Sequence, residues 1–197
     1  MTENPYQSPS PIPSTNNSDA HREPTARPIG VSILAVLHLV GGLLLFGAQF
    51  LIFANLGAME ESLSSVGIPY VLLVIGVMFL AILTIASGVG MWMGTKWGWW
   101  LASFYYVYGI FRNGSALFTV VTMADQLEGG TRGPEYYMTK HGVRIVIHCL
   151  LVLYFFKPNV LEFFDMTTVN KARAVGVLVG ICTALAVAMS AIGFVID

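Results

Sequence analysis

Three long stretches of this sequence contain no Asp, Glu, Lys or Arg, and they constrain the fold more than any other feature. They are residues 28–59, 68–93 and 174–196. About 20 apolar residues in a helix cross a bilayer, so each stretch can span a membrane. The chain is 55% hydrophobic and only 11% charged, whereas about 25% of residues in soluble domains are charged. We therefore predict an all-α, multipass transmembrane helical bundle.

Five membrane spans are predicted, at about 29–54, 68–93, 97–121, 137–156 and 174–196. Gly94 and Thr95 leave room only for a tight turn, so spans two and three should be antiparallel neighbours. Span four includes Lys140 and Arg144, which crowd one end, where long side chains reach the interface. Pro158 ends this span because proline cannot continue a helix.

The predicted spans divide the chain into three parts. Residues 1–28 hold six of the nine prolines and few large aliphatic side chains, so we predict a disordered tail. Residues 29–164 form a four-span module that ends in a short interfacial helix, and residues 165–197 form a linker and the fifth span. The first span is too long for a signal peptide and is predicted to be an uncleaved anchor.

All four tryptophans cluster around one lysine at the turn between spans two and three. Tryptophan is enriched at membrane–water interfaces. The predicted interface anchors are therefore Trp92, Trp97, Trp99 and Trp100, together with Lys96.

Small residues recur at every fourth position in two places. They are Gly90 and Gly94 in span two, and Gly176, Gly180, Ala184 and Ala188 in span five. Such spacing allows another helix to approach closely. The predicted partners are the lipid bilayer and, through these faces, other membrane proteins or a second copy of the chain.

The basic residues near the span ends predict an orientation. With the N-terminus inside, the inner segments hold Arg22, Arg27, Lys96, Lys157, Lys171 and Arg173, and the outer loops hold Arg132 and Lys140. This bias favours a cytoplasmic N-terminus and an outer C-terminus in a cell inner (plasma) membrane. Counting two more arginines on the outer side, Arg112 and Arg144, makes the ratio six to four.

A polar cluster is predicted near the outer ends of spans three and four. Its members are Arg112, Asn113, Arg144 and His148. A charge at the bilayer centre costs at least ~3 kcal/mol, so Arg112 should not face lipid. The cluster is either a pocket for an anion or headgroup, or a cap of salt bridges. The outer half holds four cations and five acids, Glu60, Glu61, Asp125, Glu128 and Glu135, and this near balance favours the cap.

The sequence holds no strong catalytic, metal-binding or cofactor-binding motif. Ser87-Gly88 and Gly114-Ser115 resemble protease serines only faintly, with His148 as a conceivable base. Cys149 and Cys182 lie in apolar runs without zinc-ligand spacing.

Composition and polar pattern together favour a non-enzymatic role. The net charge of −1 gives no basis for nucleic-acid binding. His38 lies within span one, where packing is favoured over a proton relay. We predict a structural or accessory membrane component; the alternative is a small transporter or channel subunit that uses the outer Arg/His cluster.

Several short strings resemble a loose group of small bacterial four-span membrane proteins. They are Arg27–Val31, Gly90–Trp92, Lys96–Ala102 and Leu153–Val160. The resemblance covers about residues 27–164 and implies a membrane class and topology. It implies no activity and no site residues, and the fifth span departs from it.

Overall fold

The computed structural model describes residues 26–54, 70–124 and 133–196, with the side chains of 70–72 and 189–196 left aside. The helices in these residues are α1 (Ile29–Ala54), α2 (Tyr70–Met93), α3 (Lys96–Thr122), α4 (Pro134–Phe155), α5 (Pro158–Phe163) and α6 (Lys171–Ile196). No strand occurs in these ranges. The predicted all-α, multipass fold is confirmed. Most of the predicted tail, the loop with Glu60 and Glu61, and residues 125–132 lie outside the described residues.

Within the described ranges, four helices are long and apolar enough to cross a membrane. They are Ile29–Ala54, Leu73–Met93, Pro134–Phe155 and Lys171–Ala188. Helix α3 is not among them, although it has 27 residues. It contains three tryptophans and three tyrosines, whose polar atoms lower its mean hydropathy. The count of five crossings therefore stays a prediction.

Helix α3 nevertheless runs antiparallel to α4 along much of its length. The contacting pairs are Trp99 with Phe155, Tyr106 with His148, and Asn113 with His141. On each helix these residues are seven positions apart, the spacing at which side chains return to the same face of a coiled pair. The two helices thus share a constant register over about 21 Å, at 1.5 Å per residue.

The turn between α2 and α3 depends on three glycines. A methyl group at Gly98 would overlap the backbone of Gly90, so the two helices touch there at backbone level. Gly94 has a φ of 66°, in the left-handed region that favours glycine. The predicted Gly90/Gly94 pair therefore has two roles: Gly90 allows close approach, and Gly94 makes the turn. The Thr95 hydroxyl caps α3 by accepting from Gly98 N at 3.3 Å.

Helices α1 and α2 pack closely through small residues. A methyl group at Gly88 would lie 3.0 Å from Leu39 N, and one at Gly42 would lie 2.9 Å from Ile85 N. Only small residues permit this backbone separation. The remaining faces of α1 expose large apolar side chains, such as Leu44 and Phe50, as expected of a helix that faces lipid.

The main core lies at the end of the bundle near the Gly94 turn, which we call the turn end. Its buried members are Val31, Ala35, Met91, Trp99, Ala102, Tyr106, Phe155, Val160, Leu161, Phe164, Met166 and Ala174. Trp99, predicted as an interface anchor, is instead fully buried, and its Nε1 donates to Phe155 O at 3.0 Å. Trp92 and Trp97 are exposed, as interface anchors would be, and Trp100 is half-buried.

The start of α4 differs from the prediction, whereas its end agrees to within one residue. Helix α4 begins at Pro134 rather than at Tyr137, because proline suits the first helical position. Helix α4 ends at Phe155, within one residue of the predicted end before Pro158, and Pro158 then begins the six-residue α5, which buries Val160 and Leu161 against the core. Exposed Lys96 and Asp165 form an ion pair of 2.9 Å that joins the segment after α5 to the start of α3.

Helix α6 is attached to the bundle along one face. Its buried residues are Ala174, Leu178 and Cys182, and the last two pack with Val107 of α3. The small residues predicted as a ridge are exposed, and nothing lies within 4 Å of a methyl group placed at Gly176 or Gly180. At 100° per residue, these two glycines lie opposite the face that contacts the bundle.

Candidate functional site

A buried hydrogen-bonded group joins α1, α2 and α3, and we call it the central clamp: His38, Ser87 and Tyr106. His38 Nδ1 lies 2.6 Å from Ser87 Oγ, and His38 Nε2 lies 2.8 Å from Tyr106 Oη. His38 is 5% exposed, Tyr106 2% and Ser87 0%. The close α1–α2 packing at Gly88 brings the imidazole within reach of the serine.

The hydrogen positions in the central clamp follow from its partners. Ser87 Oγ donates to Thr84 O at 2.9 Å, and this carbonyl can only accept. The serine therefore accepts from His38 Nδ1–H. A neutral imidazole then has its acceptor at Nε2, which receives the Tyr106 hydroxyl hydrogen. Every donor in the central clamp has an acceptor, so its hydrogen bonds form with a neutral His38.

Ring contacts hold the imidazole from the remaining sides. Tyr105 meets His38 edge to face, with ring centroids 4.7 Å apart, and Tyr106 does so at 5.3 Å. Aromatic pairs of this geometry add to the stability of a buried group. These contacts support a packing role for His38 more directly than a role as a proton relay.

The histidine nearest to Ser87, whose flanking sequence faintly resembles that of a protease serine, differs from the one expected. His38, and not His148, lies at hydrogen-bond distance from Ser87. A nucleophile must meet its substrate and a water molecule. Ser87 is fully buried and its hydroxyl is directed to the backbone of its own helix. The geometry is that of a polar contact between helices.

Two other buried polar side chains have no hydrogen-bond partner within the described residues. They are Gln49 on α1 and Ser103 on α3, one turn before Tyr106. A buried unpaired polar group is where water would enter a bundle most readily. Ser103 is therefore a sensitive position at which to detect water inside the protein.

The predicted outer cluster is only partly brought together. Asn113 is buried; its Nδ2 donates to Gly109 O at 2.7 Å and its Oδ1 lies 3.0 Å from His141 Nδ1. The amide oxygen only accepts, so His141 Nδ1 carries the hydrogen. His141, outside the predicted cluster, is thus the histidine that meets Asn113.

His148 lies on α4 closer to the central clamp than His141 does, beside Tyr106 rather than Asn113. Its ring packs against Gly109, where a methyl group would overlap it, and against Tyr106 with centroids 6.1 Å apart. Its Nδ1 donates to Arg144 O, one turn back, at 2.6 Å. His148 therefore meets Arg144 of the outer cluster through a backbone hydrogen bond and Tyr106 of the central clamp through a ring contact.

Arg112 and Arg144 are both exposed, on neighbouring helices. Neither has an ion pair within the described residues, where the only acid at that end of the bundle is Glu135. The other acids proposed for a salt-bridged cap, in the loops 55–69 and 125–132, lie outside the described ranges. The same ranges contain no group of three His, Cys, Asp or Glu side chains that could hold a metal.

Sequence reasoning missed Ser87, Tyr106 and His141 as polar contacts. Ser87 had entered only as a faint protease serine, and Tyr106 only as one aromatic among many. A usable signal was present: Tyr106 and Asn113 on α3, and His141 and His148 on α4, each stand seven residues apart.

Comparison with protein families, with curated proteins and with solved structures finds no match.

Proposed function

We propose that this chain is a non-catalytic structural or accessory component of a membrane, which associates with another membrane protein through the outer face of α6. The observation that carries the proposal is the central clamp. Its polar groups satisfy one another at mid-depth, and they hold three helices together instead of facing a substrate.

The alternative, a small transporter or channel subunit, requires polar groups that continue across the membrane. At mid-depth the hydrogen bonds of His38 are internal. Between the central clamp and the turn end the α3–α4 contact is aromatic, with Trp99 against Phe156 at 5.2 Å. This pattern supports a closed bundle over a conducting one.

The topology proposed with this role has five crossings. Helix α3 lies beside α4, a candidate span, at three levels, so both occupy the same depth range of the bilayer. The starts of α1, α3 and α6 and the ends of α2 and α4 then lie on one side. The positive-inside bias supports the cytoplasmic side of an inner membrane for this end.

The exposed face of α6 supplies the proposed contact. Gly176 and Gly180 form a smooth surface opposite the bundle, and small residues at this spacing allow close helix association in lipid. The expected partner is a transmembrane helix of another membrane protein or of a second copy of the chain.

Photo-crosslinking in the native membrane tests this contact. A benzophenone side chain at Val187, on the face of the two glycines, is expected to give a defined protein adduct. The same side chain at Leu44, exposed on α1, is expected to react with lipid only. An adduct of twice the chain mass would identify a second copy as the partner.

A matched pair of glycine variants controls this experiment. Gly180→Leu should abolish the adduct because it fills the exposed face, whereas Gly142→Leu should not. Neither position has an atom within 4 Å of an added methyl group, so both variants should fold. Lipid adducts alone at Val187, or an adduct that Gly180→Leu leaves unchanged, would contradict the proposed role.

A further inference from the structure

The end of the bundle away from the Gly94 turn, the far end, carries an excess of positive charge on α3 and α4. In the described ranges it has Arg112, Lys140 and Arg144 against a single acid, Glu135. Glu135 is exposed, in the first turn of α4. His141 is hydrogen-bonded to Asn113, the residue after Arg112, and it lies between Lys140 and Arg144 on α4, so this bond places the three cations at neighbouring levels of the two helices.

The histidine at the centre of this group has a fixed orientation. His141 Nδ1 donates to Asn113 Oδ1, and Asn113 is itself fixed by its bond to Gly109 O. Among the described residues His141 Nε2 has no hydrogen-bond partner, so this nitrogen can accept a further one. These two contacts thus fix the orientation of the imidazole ring beside the helix positions that carry Arg112, Lys140 and Arg144.

The position of Arg112 and Arg144 along the helices determines which layer of the membrane their side chains reach. Arg112 is 16 residues after Lys96, which corresponds to about 24 Å along α3. The hydrocarbon core is about 30 Å thick, so an extended guanidinium from this level reaches the lipid headgroups. By the α3–α4 register, Arg144 lies level with Ile110, about 3 Å nearer the centre. In the proposed topology, with the start of α3 at one membrane surface, both guanidinium groups reach the layer in which lipid phosphates lie.

We propose that Arg112, Arg144 and His141 form a binding site for a phosphate group. Guanidinium groups bind phosphate oxygens in pairs of parallel hydrogen bonds, which a lysine cannot reproduce. A lipid headgroup and free phosphate present the same chemistry, and the position of the site in the headgroup layer favours the lipid. This inference does not depend on the accessory role or on which side of the membrane the site faces.

Thermal unfolding of the purified chain in neutral detergent tests the site with three probes: phosphatidylglycerol, phosphatidylcholine and inorganic phosphate. A ligand that binds only the folded state raises Tm, and the rise grows with ligand concentration relative to Kd. We expect phosphatidylglycerol to raise Tm and phosphatidylcholine to do so less. The Arg112→Gln/Arg144→Gln double variant should weaken the apparent affinity at least tenfold, whereas Arg173→Gln, an exposed arginine at the turn end, should leave it unchanged.

The outcomes separate the two sources of phosphate and the absence of a site. A Tm shift with phosphatidylglycerol but none with inorganic phosphate identifies a lipid site. Equal Tm shifts with the two probes identify a site for free anions. In the unmodified protein, the Tm shift should also shrink when NaCl is raised from about 0.05 to about 0.5 M, because salt screens exposed charges. A salt-independent shift, or equal shifts in the double variant and Arg173→Gln, would overturn the proposal, as would the absence of any shift.

Discussion

Replacement of Gly98 by alanine is expected to disrupt the bundle more than any other single-methyl change. The added methyl group would overlap the Gly90 backbone, which no rotamer change can relieve. Overpacking inside a protein typically costs about 1–3 kcal/mol and sometimes more. We expect about 3 kcal/mol or more here, because α2 and α3 must separate and the contact lies beside the turn that joins them.

Size-exclusion profiles and thermal unfolding in detergent measure this effect. Gly114→Ala is the matched control: Gly114 is also in α3, but an added methyl group there meets nothing within 4 Å. The control should leave stability unchanged or raise it by up to about 1 kcal/mol, since alanine is the better helix former. A Gly98→Ala protein that is monodisperse, with the Tm of the unmodified chain, would show that α2 and α3 are not in backbone contact.

The second large effect is expected from His38→Leu, which removes the middle member of the central clamp. Tyr106 Oη loses its partner and remains buried, while Ser87 keeps its bond to Thr84 O. Leaving a buried polar group unpaired costs about 1–3 kcal/mol. We expect a loss of about 2 kcal/mol, near the upper end for interhelical hydrogen bonds in membranes.

A double-mutant cycle separates the hydrogen bond from packing. Tyr106→Phe should cost about 1 kcal/mol, and the His38→Leu/Tyr106→Phe double variant should cost less than the sum of the two single changes. Tyr108→Phe is the control, because Tyr108 stacks on Phe104 and a phenylalanine keeps that contact. Strict additivity would mean that His38 and Tyr106 do not interact.

Helices α1, α2 and α6 could be predicted from the sequence because each charge-free stretch is long enough to span a membrane. The boundaries of α1 and α3 agree with prediction to within one residue, and α2 ends at Met93 as predicted. Local chemistry accounts for the earlier start of α4, because Pro134 suits the first helical position, whereas the end of α4 at Phe155, shortly before Pro158, agrees with prediction to within one residue. The role of Trp99 was wrong because composition reveals enrichment at an interface and not which tryptophan turns inward.

The site contacts depend on the register between helices, which no single span specifies. His38 and Ser87 are 49 residues apart, and their meeting depends on the small residues that let α1 and α2 approach. The choice of His141 over His148 as the partner of Asn113 depends on the α3–α4 register. Whether acids in the outer loops neutralise Arg112 and Arg144 stays a prediction, since those acids lie outside the described residues.

Cysteine accessibility tests most directly whether the bundle is closed, which is the central claim. In a background with Cys149→Ala and Cys182→Ala, Ser103→Cys places a thiol at a fully buried position one turn from the central clamp. Arg112→Cys places one at an exposed position near the far end of the same helix. A membrane-impermeant maleimide is applied to each side of sealed vesicles.

We expect Arg112→Cys to react from one side only, and Ser103→Cys to react at less than about a tenth of that rate from either side, because reaction requires a hydrated thiolate. This result would support a closed bundle with an accessory role. Comparable rates at the two positions would show that water reaches the centre, and would contradict the proposal in favour of a transport path.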